Sequence, residues 1–425
     1  MLEGRIEIGE SVGNDDPGGG PMDVLTTAKG QAGLPRYFVT AFETAKRLGE
    51  GRLDFVLADG RRFRVEGKAP GITAEIRVVN PDLFARLVRE GDLGFCDAYL
   101  DGWWTTPDLQ AFLDLIQRPA NNIVGDAYPG LGLLRAYERL RFWMQANSRR
   151  QAKKNISYHY DLGNDFYRLW LDETMTYSSA LFANPQESLE AAQTRKYASM
   201  VDQMGAKAGD HVLEIGCGWG GFAEYAAKER GLRVTGLTIS QAQHDFAVER
   251  VRRAGLGDQV EIKLQDYRDE RGSYDGIASI EMFEAVGERY WPVYFNALRD
   301  RLKPGGNATL QIITIDDARW PMYRRGVDFI QKYIFPGGML PGPTVLRTEV
   351  ERAGLQVKGS IEFGESYSLT LRRWHESFAE RWSEVKTLGF DERFRRMWEF
   401  YLASCAGAFQ GGNCDVTQIT VTRPN

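Results

Sequence analysis

A glycine-rich turn that joins two apolar stretches contains the residues best suited to chemistry in this 425-residue sequence. Val212–Ile215 predicts a strand, Gly216–Gly221 predicts a tight turn, and the residues that follow have the apolar spacing of a helix. Glycines let the backbone turn sharply and let a ligand approach it closely. Because the first turn of a helix also offers free N–H groups, the unit predicts a ligand-binding site at the end of the strand.

The position of an acid indicates which ligand this turn favours. A turn for pyrophosphate would read G-x-G-x-x-G, with an acid about 20 residues later. Here Glu214 precedes Gly216, Gly218 and Gly220, and Cys217 lies between the first two glycines. This order is typical of class I methyltransferases, in which the acid meets the cationic amino-acid end of S-adenosylmethionine (SAM). Another nucleotide-binding unit and a purely structural glycine turn remain alternatives.

Polar residues after the next two strands match the rest of that cofactor. Thr238 and Gln243 follow the second strand, where the ribose hydroxyls would lie. Asp266 and Tyr267 follow the third, where an acid can accept from the adenine amino group. The predicted strands are Val212–Ile215, Arg233–Leu237, Val260–Leu264, Tyr274–Ile280, Ala308–Ile315, Val357–Glu362 and Val416–Val421. Their alternation with helices predicts an α/β fold of the Rossmann-like, class I SAM-dependent methyltransferase type, with ligand at the carboxyl ends of a parallel sheet.

The overall composition excludes several classes of protein. A net charge of -5 argues against a general attraction to nucleic acid. The four cysteines form no C-x-x-C pair, so neither a disulfide framework nor a metal site is predicted. No apolar run is long enough to span a membrane, and the N-terminus has no apolar signal core. We therefore expect a cytoplasmic protein that, if it meets a membrane, visits the surface of the inner face.

Changes in composition divide the chain into four parts. Residues 1–22 cannot form a core, so a disordered tail is expected. Residues 23–120 predict a smaller α+β domain that binds lipid or forms a homodimer, and residues 156–425 predict the SAM-dependent catalytic domain. Residues 121–155 predict a basic helical linker between them. Its pattern fits docking on an anionic membrane surface or an interdomain helix with a solvated basic face, and both interpretations stay open.

The elements of the N-terminal domain are predicted from short periodic segments. Strands at Leu53–Leu57 and Arg62–Val65 form a hairpin, and Ile72–Val79 is a third strand. Two helices that each open on a proline are expected at Pro81–Arg89 and Pro107–Ile116.

Three further segments are too aromatic for plain linkers. Phe95–Trp104, between the two predicted helices, fits either an acyl-chain pocket or ordinary core. Asn155–Tyr167 precedes the cofactor unit and is expected to fold over the cofactor as a lid. Asp328–Pro341 interrupts the methyltransferase pattern, and its apolar residues with arginines nearby suit a long hydrocarbon that carries a phosphate head.

Six separated motifs occur in one order along the chain. They are Tyr158–Asp165, Met175–Ser178, Glu214–Gly221, Ile280–Glu284, Tyr333–Gly338 and Cys405–Phe409. Together they resemble cyclopropane-fatty-acyl-phospholipid synthases and the similar mycolic-acid cyclopropane synthases. The resemblance implies that a cis double bond of an unsaturated phospholipid acyl chain attacks the methyl of SAM, that a carbocation forms, and that a ring closes after loss of a methyl proton. Tyr177, Ser178 and Ile280 then join the predicted cofactor-binding residues.

The resemblance also implies a bicarbonate ion as the base that takes this proton. The family's ligands map onto Glu281 and Tyr367, but its cysteine and histidine positions fall on Ser179 and Gln311. Serine and glutamine can still donate hydrogen bonds to an anion, so bicarbonate remains one alternative. Cys405 matches a family cysteine once considered catalytic, but its apolar neighbours and the lack of a basic partner in the sequence favour a structural role.

These departures leave two products open. We favour ring closure, whereas a weak or displaced base would give a methyl-branched or methylated unsaturated acyl chain. Aromatic faces stabilise a carbocation without trapping it. The candidates for this role are Tyr177, Phe283, Tyr333 and Tyr367. A methyltransferase for a water-soluble acceptor and a catalytically silent lipid-binding protein are the alternatives from other classes.

Overall fold

The computed structural model describes residues 24–121 and 162–425. The tail predicted at 1–22 lies outside the described residues, as does all but the first residue of the basic segment 121–155. The first part of the Tyr158–Asp165 motif and of the predicted lid lies outside them too. Within the described ranges, no helix is both long and apolar enough to cross a membrane.

Twelve strands form two sheets in the described part of the chain. In chain order they are β1 (Val24–Leu25), β2 (Glu50–Val56), β3 (Arg62–Glu66), β4 (Ala69–Val78), β5 (Trp104–Thr105), β6 (His211–Ile215), β7 (Arg233–Thr238), β8 (Val260–Leu264), β9 (Tyr274–Ile280), β10 (Leu302–Ile315), β11 (Gln356–Glu362) and β12 (Cys414–Thr422).

Helices cover both sheets. In chain order they are α1 (Phe38–Ala45), α2 (Leu83–Leu100), α3 (Leu109–Gln117), α4 (Asn164–Trp170), α5 (Leu189–Met204), α6 (Gly221–Arg230), α7 (Gln241–Arg253), α8 (Trp291–Arg301), α9 (Trp320–Tyr323), α10 (Phe329–Tyr333), α11 (Pro343–Arg352), α12 (Gly364–Glu380), α13 (Trp382–Thr387) and α14 (Glu392–Gln410).

The larger sheet has the order β11-β12-β10-β9-β6-β7-β8, and all its neighbours are parallel except the two pairs that include β12. The chain runs outward from β6 to β8, then returns to start β9 on the other side of β6. This change of direction is the topological switch point at which ligands bind in open α/β sheets. The glycine turn after β6 therefore lies at the crevice.

The strand predictions for this sheet agree with the structure to within a few residues, except that β10 begins earlier. The Pro-Gly-Gly sequence at 304–306 forms an irregularity inside β10, because the register with β9 shifts between Leu302 and Asn307. Gly305 has a φ of 74° there, which supplies the local change of direction.

The N-terminal sheet has the order β1-β3-β2-β4-β5, and β2 and β3 form the predicted antiparallel hairpin. The helix predictions in this domain need two corrections. α2 does not end at Arg89: it breaks at Gly91, which has φ 64° and ψ -147°, and then continues to Leu100. Neither α2 nor α3 opens on its proline; α3 is instead capped by Asp108, whose side chain accepts from the Ala111 N–H at 2.9 Å.

One hydrophobic core joins the N-terminal domain to the catalytic domain. It includes Phe38, Phe63 and Trp104 from the former and Trp374 and Trp398 from the latter, all of them fully buried. Two further cores cover the faces of the large sheet. The aromatic segment Phe95–Trp104 takes part in the shared core, where Phe95 stacks on Trp104 with ring centroids 4.6 Å apart.

Candidate active site

A cavity of about 1450 Å³ opens at the carboxyl ends of the strands in the large sheet. Its walls include Glu214–Trp219 after β6, Leu237–Ile239 after β7, Gln265–Arg268 after β8 and Ile280–Met282 after β9. Of the twelve residues predicted to bind cofactor, eleven line it; the exception is Gly220, which packs against Ala247 at the start of α6. The sheet thus gathers segments that are far apart in the sequence around one space.

Glu214 is held in the wall of this cavity with part of its carboxylate unused. The residue is 3% exposed, the Ala223 N–H donates to the carboxylate, and Oε2 has no hydrogen-bond partner among the described residues. Burial raises the pKa of Glu214 to about 8, although the nearby Lys196 ammonium opposes the rise. A buried carboxylate oxygen without a donor fits the ammonium group of an amino acid, as the SAM prediction requires.

The turn requires glycine at position 216, where it passes close to the loop that carries Met282. Gly216 has a φ of 83°, and a Cβ there would lie 2.7 Å from Cγ of Met282. Any larger residue would therefore close the crevice or displace Met282. Cys217 beside it is 4% exposed, and burial raises the pKa of its thiol well above the usual range, so this cysteine packs rather than reacts.

The residues predicted around the ribose and the adenine also lie at this edge. Thr238 donates its hydroxyl to Oε1 of Gln243 at 3.0 Å, which fixes the orientation of that buried amide. The carboxylate of Asp266 accepts two bonds from the Arg268 guanidinium, at 2.9 and 2.6 Å. The role of Asp266 toward adenine stays a prediction, and Arg268 would compete with it.

Glu281 is the carboxylate that faces the reaction side of the cavity. Its Oε1 accepts from the Ser179 N–H and from Nε2 of Gln311, both at 2.8 Å, and Tyr367 also bonds to the carboxylate. The backbone of Glu281 has a φ of 49°, a strained conformation for a non-glycine residue. Burial raises the pKa of Glu281, while Gln311 and Lys196 pull it down. The hydrogen-bond donors therefore favour the ionised form of Glu281, whereas burial opposes it and decides the direction of the shift.

A second amide, which the sequence did not single out, sets the orientation of Gln311. Gln418 on β12 is fully buried and donates from Nε2 to Oε1 of Gln311 at 3.0 Å. Its own Oε1 accepts from the Ser199 hydroxyl and from Nε2 of Gln203, both at 2.6 Å. Gln311 must therefore present its NH₂ group to Glu281. The amide of Gln418 in the middle of the predicted strand Val416–Val421 was the available signal.

Lys196 is the other residue that sequence analysis missed. It projects from α5, is fully buried, and donates to the hydroxyl of Ser178 at 2.8 Å. Burial lowers its pKa to about 7, opposed by the carboxylates of Glu281, Asp172 and Glu214. The cation thus acts on two carboxylates of the cavity wall, Glu214 and Glu281.

The four residues predicted to surround bicarbonate lie close together, but their donor groups do not converge on a binding site for an ion. Glu281 and Tyr367 line the cavity, whereas Ser179 and Gln311 are fully buried and are not among its lining residues. The Ser179 hydroxyl donates to the Ala180 carbonyl at 2.9 Å. The Gln311 NH₂ group is taken by Glu281 and by the Ser179 carbonyl, at 2.8 and 3.2 Å. The Gln311 side chain and the Ser179 backbone N–H support Glu281, and neither Ser179 nor Gln311 lines the cavity.

Cys405 lines the same cavity from α14. Burial raises the pKa of its thiol well above the usual range, and the largest charge effects, from Cys414 and Asp328, raise it further. A thiol in these surroundings stays protonated and is a poor nucleophile. The geometry supports the structural interpretation of Cys405.

Only two of the four aromatic candidates are placed to face a carbocation. Tyr177 and Tyr367 line the cavity, and the Tyr177 hydroxyl bonds to that of Tyr401 at 2.8 Å. Phe283 instead packs in the core against Trp291 and Tyr294, because its 3₁₀ turn directs the ring away from the cavity. Tyr333 donates its hydroxyl to Asp97 of the N-terminal domain at 2.6 Å and does not line the cavity either. The hypotheses for Phe283 and Tyr333 are therefore wrong.

Comparison with known proteins places this site in a family. The family model described as mycolic acid cyclopropane synthetase matches residues 147–419. The chain belongs to this family. Its sequence is 40% identical over 380 residues to the tuberculostearic acid methyltransferase UfaA1 of Mycobacterium tuberculosis, which covers 87% of this chain and 88% of that protein. It is 36% identical over 367 residues to the cyclopropane-fatty-acyl-phospholipid synthase of Escherichia coli, with 84% and 90% covered.

Solved structures of the family have the same architecture. The cyclopropane synthase MmaA2 from Mycobacterium tuberculosis is 29% identical, with a TM-score of 0.60 over 64% of this chain and 98% of that one. The mycolic acid cyclopropane synthase CmaA1, solved with S-adenosylhomocysteine and CTAB bound, has the same values. The predicted class I fold is thus confirmed, and so is the prediction of a SAM-dependent transferase of the cyclopropane synthase type.

Proposed function

We propose that this family member transfers a methylene from SAM to the cis double bond of an unsaturated phospholipid acyl chain and forms a cyclopropane fatty acid. The observation that carries the proposal is the carboxylate of Glu281. It lies in the cavity wall, in the loop after β9, the strand that pairs with β6 and its glycine turn. Ser179, Gln311 and Tyr367 orient it. Ring closure needs a base at such a position, since one proton must leave the transferred methyl.

Each part of the site has a task in this reaction. SAM, when bound, supplies an electrophilic methyl group. Glu214 binds the amino-acid end of the cofactor, and the turn at Gly216 admits its body. The cavity excludes water, so that a poorly nucleophilic alkene is positioned rather than activated. Tyr177 and Tyr367 face the positive charge that develops on the acyl chain, and Glu281 accepts the proton.

Bicarbonate does not fit this arrangement. The donors that would hold it, the Ser179 hydroxyl and the Gln311 NH₂ group, are used by the Ala180 carbonyl, by Glu281 and by the Ser179 carbonyl. We therefore assign the proton to Glu281 itself. Turnover in carbon-dioxide-depleted buffer should equal turnover with added bicarbonate, and a loss that bicarbonate restores would contradict this assignment.

A methyl-branched or methylated unsaturated product is the second candidate. It is favoured by the departures at Ser179 and Gln311, and by the similarity to a protein named as a tuberculostearic acid methyltransferase. In that reaction the cation would lose a proton from the chain, directly or after a hydride shift, before the ring could close, which gives a methylated unsaturated chain. A saturated methyl-branched chain would form only after reduction of this product by a separate hydride donor. The fold supports both outcomes, because the position of the base decides between them.

One experiment separates the two products. The purified enzyme is incubated with SAM carrying a trideuterated methyl group and with vesicles of dioleoyl phospholipid, and the fatty acids are analysed by mass spectrometry before and after hydrogenation under conditions that leave cyclopropane rings intact. Cyclopropanation gives a chain that retains two deuterons and takes up no hydrogen. Three retained deuterons, or a product that hydrogenates, would identify a methylated chain. No incorporation would contradict both lipid reactions.

We further propose that the enzyme acts from the surface of an anionic membrane, at the cytoplasmic face. The support is the basic segment within 121–155, where attraction is worth about 1 kcal/mol for each basic residue near the surface. Co-flotation with anionic vesicles but not with neutral ones is expected, and equal flotation would contradict electrostatic docking. Formation of a homodimer stays a prediction that light scattering of the purified protein can test.

A further inference from the structure

The cavity that holds the reaction site does not end in the catalytic domain. Its lining continues into the N-terminal domain between the sheet and the helices, where the walls are Leu53, Phe55, Ile76, Phe84 and Leu113. These side chains are 2–6% exposed and belong to the shared hydrophobic core. The walls of this N-terminal arm of the cavity are therefore mainly apolar, and Glu90, Asp92 and Arg118 are the charged residues of the domain that also line the cavity.

Aromatic residues connect the arm to the reaction site. Cys405 and Tyr401 on α14 line the reaction side, and Phe400 on the same helix lines the cavity next to them. Phe400 contacts Tyr99 of α2, with ring centroids 5.4 Å apart, and Phe95 lines the cavity from the same helix. One helix of the catalytic domain thus forms a wall of the reaction site and also contacts the domain that holds the arm.

Polar contacts fix the arm in place beside the reaction site. Nε2 of Gln117 donates to the Ser404 carbonyl at 3.0 Å, and the Gln117 carbonyl accepts from Nδ2 of Asn413 at 2.9 Å. Arg372 and Asp114 form an ion pair at 2.7 Å. Since these contacts join α3 to the segments that carry Cys405 and Cys414, the N-terminal domain is docked on the site and not merely tethered to it.

The chemistry of the walls selects the occupant. No charged side chain is needed to bind saturated hydrocarbon, and each methylene moved from water into such surroundings gains about 0.8 kcal/mol. The head group of a phospholipid would remain at the polar opening, where Arg319 and Arg325 line the cavity. The part of the chain that can travel deepest is then the methyl-terminal part, beyond the double bond.

We propose that the N-terminal arm binds the methyl-terminal segment of the acyl chain. The length of the arm would then select substrates by the number of carbons between the double bond and the methyl end. This inference rests on the proposed acyl-chain reaction. It assigns a substrate subsite to a domain that contributes none of the predicted catalytic or cofactor-binding residues.

Three phospholipids distinguish the two ends of the chain. Palmitoleoyl and oleoyl chains have the double bond at the same distance from the ester, but oleoyl is two methylenes longer beyond it. Cis-vaccenoyl has the total length of oleoyl and the methyl-terminal length of palmitoleoyl. In vesicles that contain all three, Leu113→Phe should narrow the arm and lower the turnover of oleoyl about ten-fold relative to both other chains, as expected from the loss of two buried methylenes.

Leu115→Phe is the matched control. Leu115 is fully buried on the same helix but does not line the cavity, so the variant tests overpacking alone and should leave the three-chain ratio unchanged. Ala45→Leu on α1, which does line the cavity, is a second narrowing variant if Leu113→Phe folds poorly. A wild-type ratio in the two narrowing variants, or a selective loss of cis-vaccenoyl, would overturn the proposal.

A binding measurement separates this proposal from the reaction itself. Parinaroyl phospholipid, whose chain is a fluorescent polyene, should receive energy from tryptophan on binding, and Leu113→Phe should weaken that binding while Leu115→Phe does not. If the wild-type enzyme binds this probe but modifies none of the three chains, the proposed reaction is contradicted, whereas the proposal that the arm binds an acyl chain is not. If turnover occurs and the narrowing variants bind the probe like wild type, the proposal that the arm binds the acyl chain is contradicted, whereas the proposed reaction is not.

Discussion

At the scale of single residues, the site depends on one carboxylate that hydrogen-bond donors orient in the cavity wall. Glu281 combines a strained backbone, with φ at 49°, with donors from Ser179, Gln311 and Tyr367. Strain of this kind costs about 1–3 kcal/mol and persists only where the surroundings enforce it. The loop after β9 therefore holds the carboxylate at a fixed point above the cofactor turn.

Replacing this carboxylate tests its role as base. Glu281→Gln keeps the shape of the side chain but cannot accept the proton, so we expect kcat to fall by at least about a hundred-fold. The Kd for SAM, measured by calorimetry, should not change. Glu284→Gln is the control: Glu284 lines the same cavity, and its Oε1 accepts from the Ile313 N–H, a bond that the amide oxygen of glutamine can keep. Equal losses in both variants would contradict the assignment.

Lys196 should set the pH dependence of the reaction. Its charge lowers the pKa of Glu281 and of Glu214, so Lys196→Met raises both pKa values. Because the base must be deprotonated, the acidic limb of the kcat/KM profile is expected to move to higher pH. The shift should be greatest below pH 7, since the pKa of Lys196 is about 7 and its charge fades above that. Lys228→Met, on an exposed side chain, should leave the profile in place; a profile that is also unmoved in Lys196→Met would contradict the coupling.

At the scale of secondary structure elements, the break in α2 shapes the wall of the cavity. Gly91 adopts φ 64° and ψ -147°, which is a conformation that essentially only glycine reaches. Gly91, Asp92 and Leu93 line the cavity at this break, and the second half of the helix carries Phe95 and Cys96 into its wall. A continuous helix would turn these residues elsewhere.

The break makes a prediction about stability. Gly91→Ala should lower the free energy of unfolding by about 1–3 kcal/mol, because alanine cannot adopt this conformation without strain. Urea denaturation of the full chain measures the difference. Gly257→Ala is the matched substitution, since Gly257 has no left-handed φ and no atom lies within 4 Å of an added Cβ. A comparable loss at both positions would show that the conformation of Gly91 is not the cause.

At the scale of the whole molecule, the two domains share a hydrophobic core and a polar contact between Asp97 and the pair Lys332 and Tyr333. The carboxylate of Asp97 accepts from the Tyr333 hydroxyl at 2.6 Å and from Nζ of Lys332 at 3.0 Å. Tyr333 and Lys332 belong to the segment that the sequence predicted to shape the substrate site. The segment lines the cavity through Phe329 and Ile330, among others, whereas Lys332 and Tyr333 attach the N-terminal domain.

Breaking the polar contact at Asp97 should affect the stability of both domains. Asp97→Ala removes the carboxylate that binds Tyr333 and Lys332, leaves the Lys332 charge partly buried, and should destabilise docking by about 1–3 kcal/mol. We expect faster hydrogen exchange in α2 and α10 and lower turnover on vesicles, with SAM binding unchanged. Asp59→Ala removes an exposed pair with Arg61 in the same domain and should change none of these. Unchanged exchange in Asp97→Ala would show that the shared core alone holds the domains.

Much of the catalytic domain could be predicted from the sequence, because its signals are local. Strand periodicity located β6–β9, β11 and β12, and the acid before the glycines identified the cofactor turn, since the strand, the turn and the helix are adjacent in the chain. The N-terminal hairpin was predicted for the same reason. The break and restart of α2 were not, because the packing of Phe95 and Tyr99 against distant residues overrides the local signal of Gly91 and Gly94.

The tertiary structure alone decided how the site works. Ser179 and Glu281 are 102 residues apart in the chain, and Gln311 and Gln418 are 107 apart, yet each pair is hydrogen-bonded. The sequence gives no rule for such pairs, because the free energy of a buried polar group depends on which partner the fold brings to it. Burial of Lys196 between carboxylates and the extension of the cavity into the N-terminal domain have the same origin. Local order along the chain determined the elements and the cofactor turn, whereas desolvation and long-range contacts determined which residues act there.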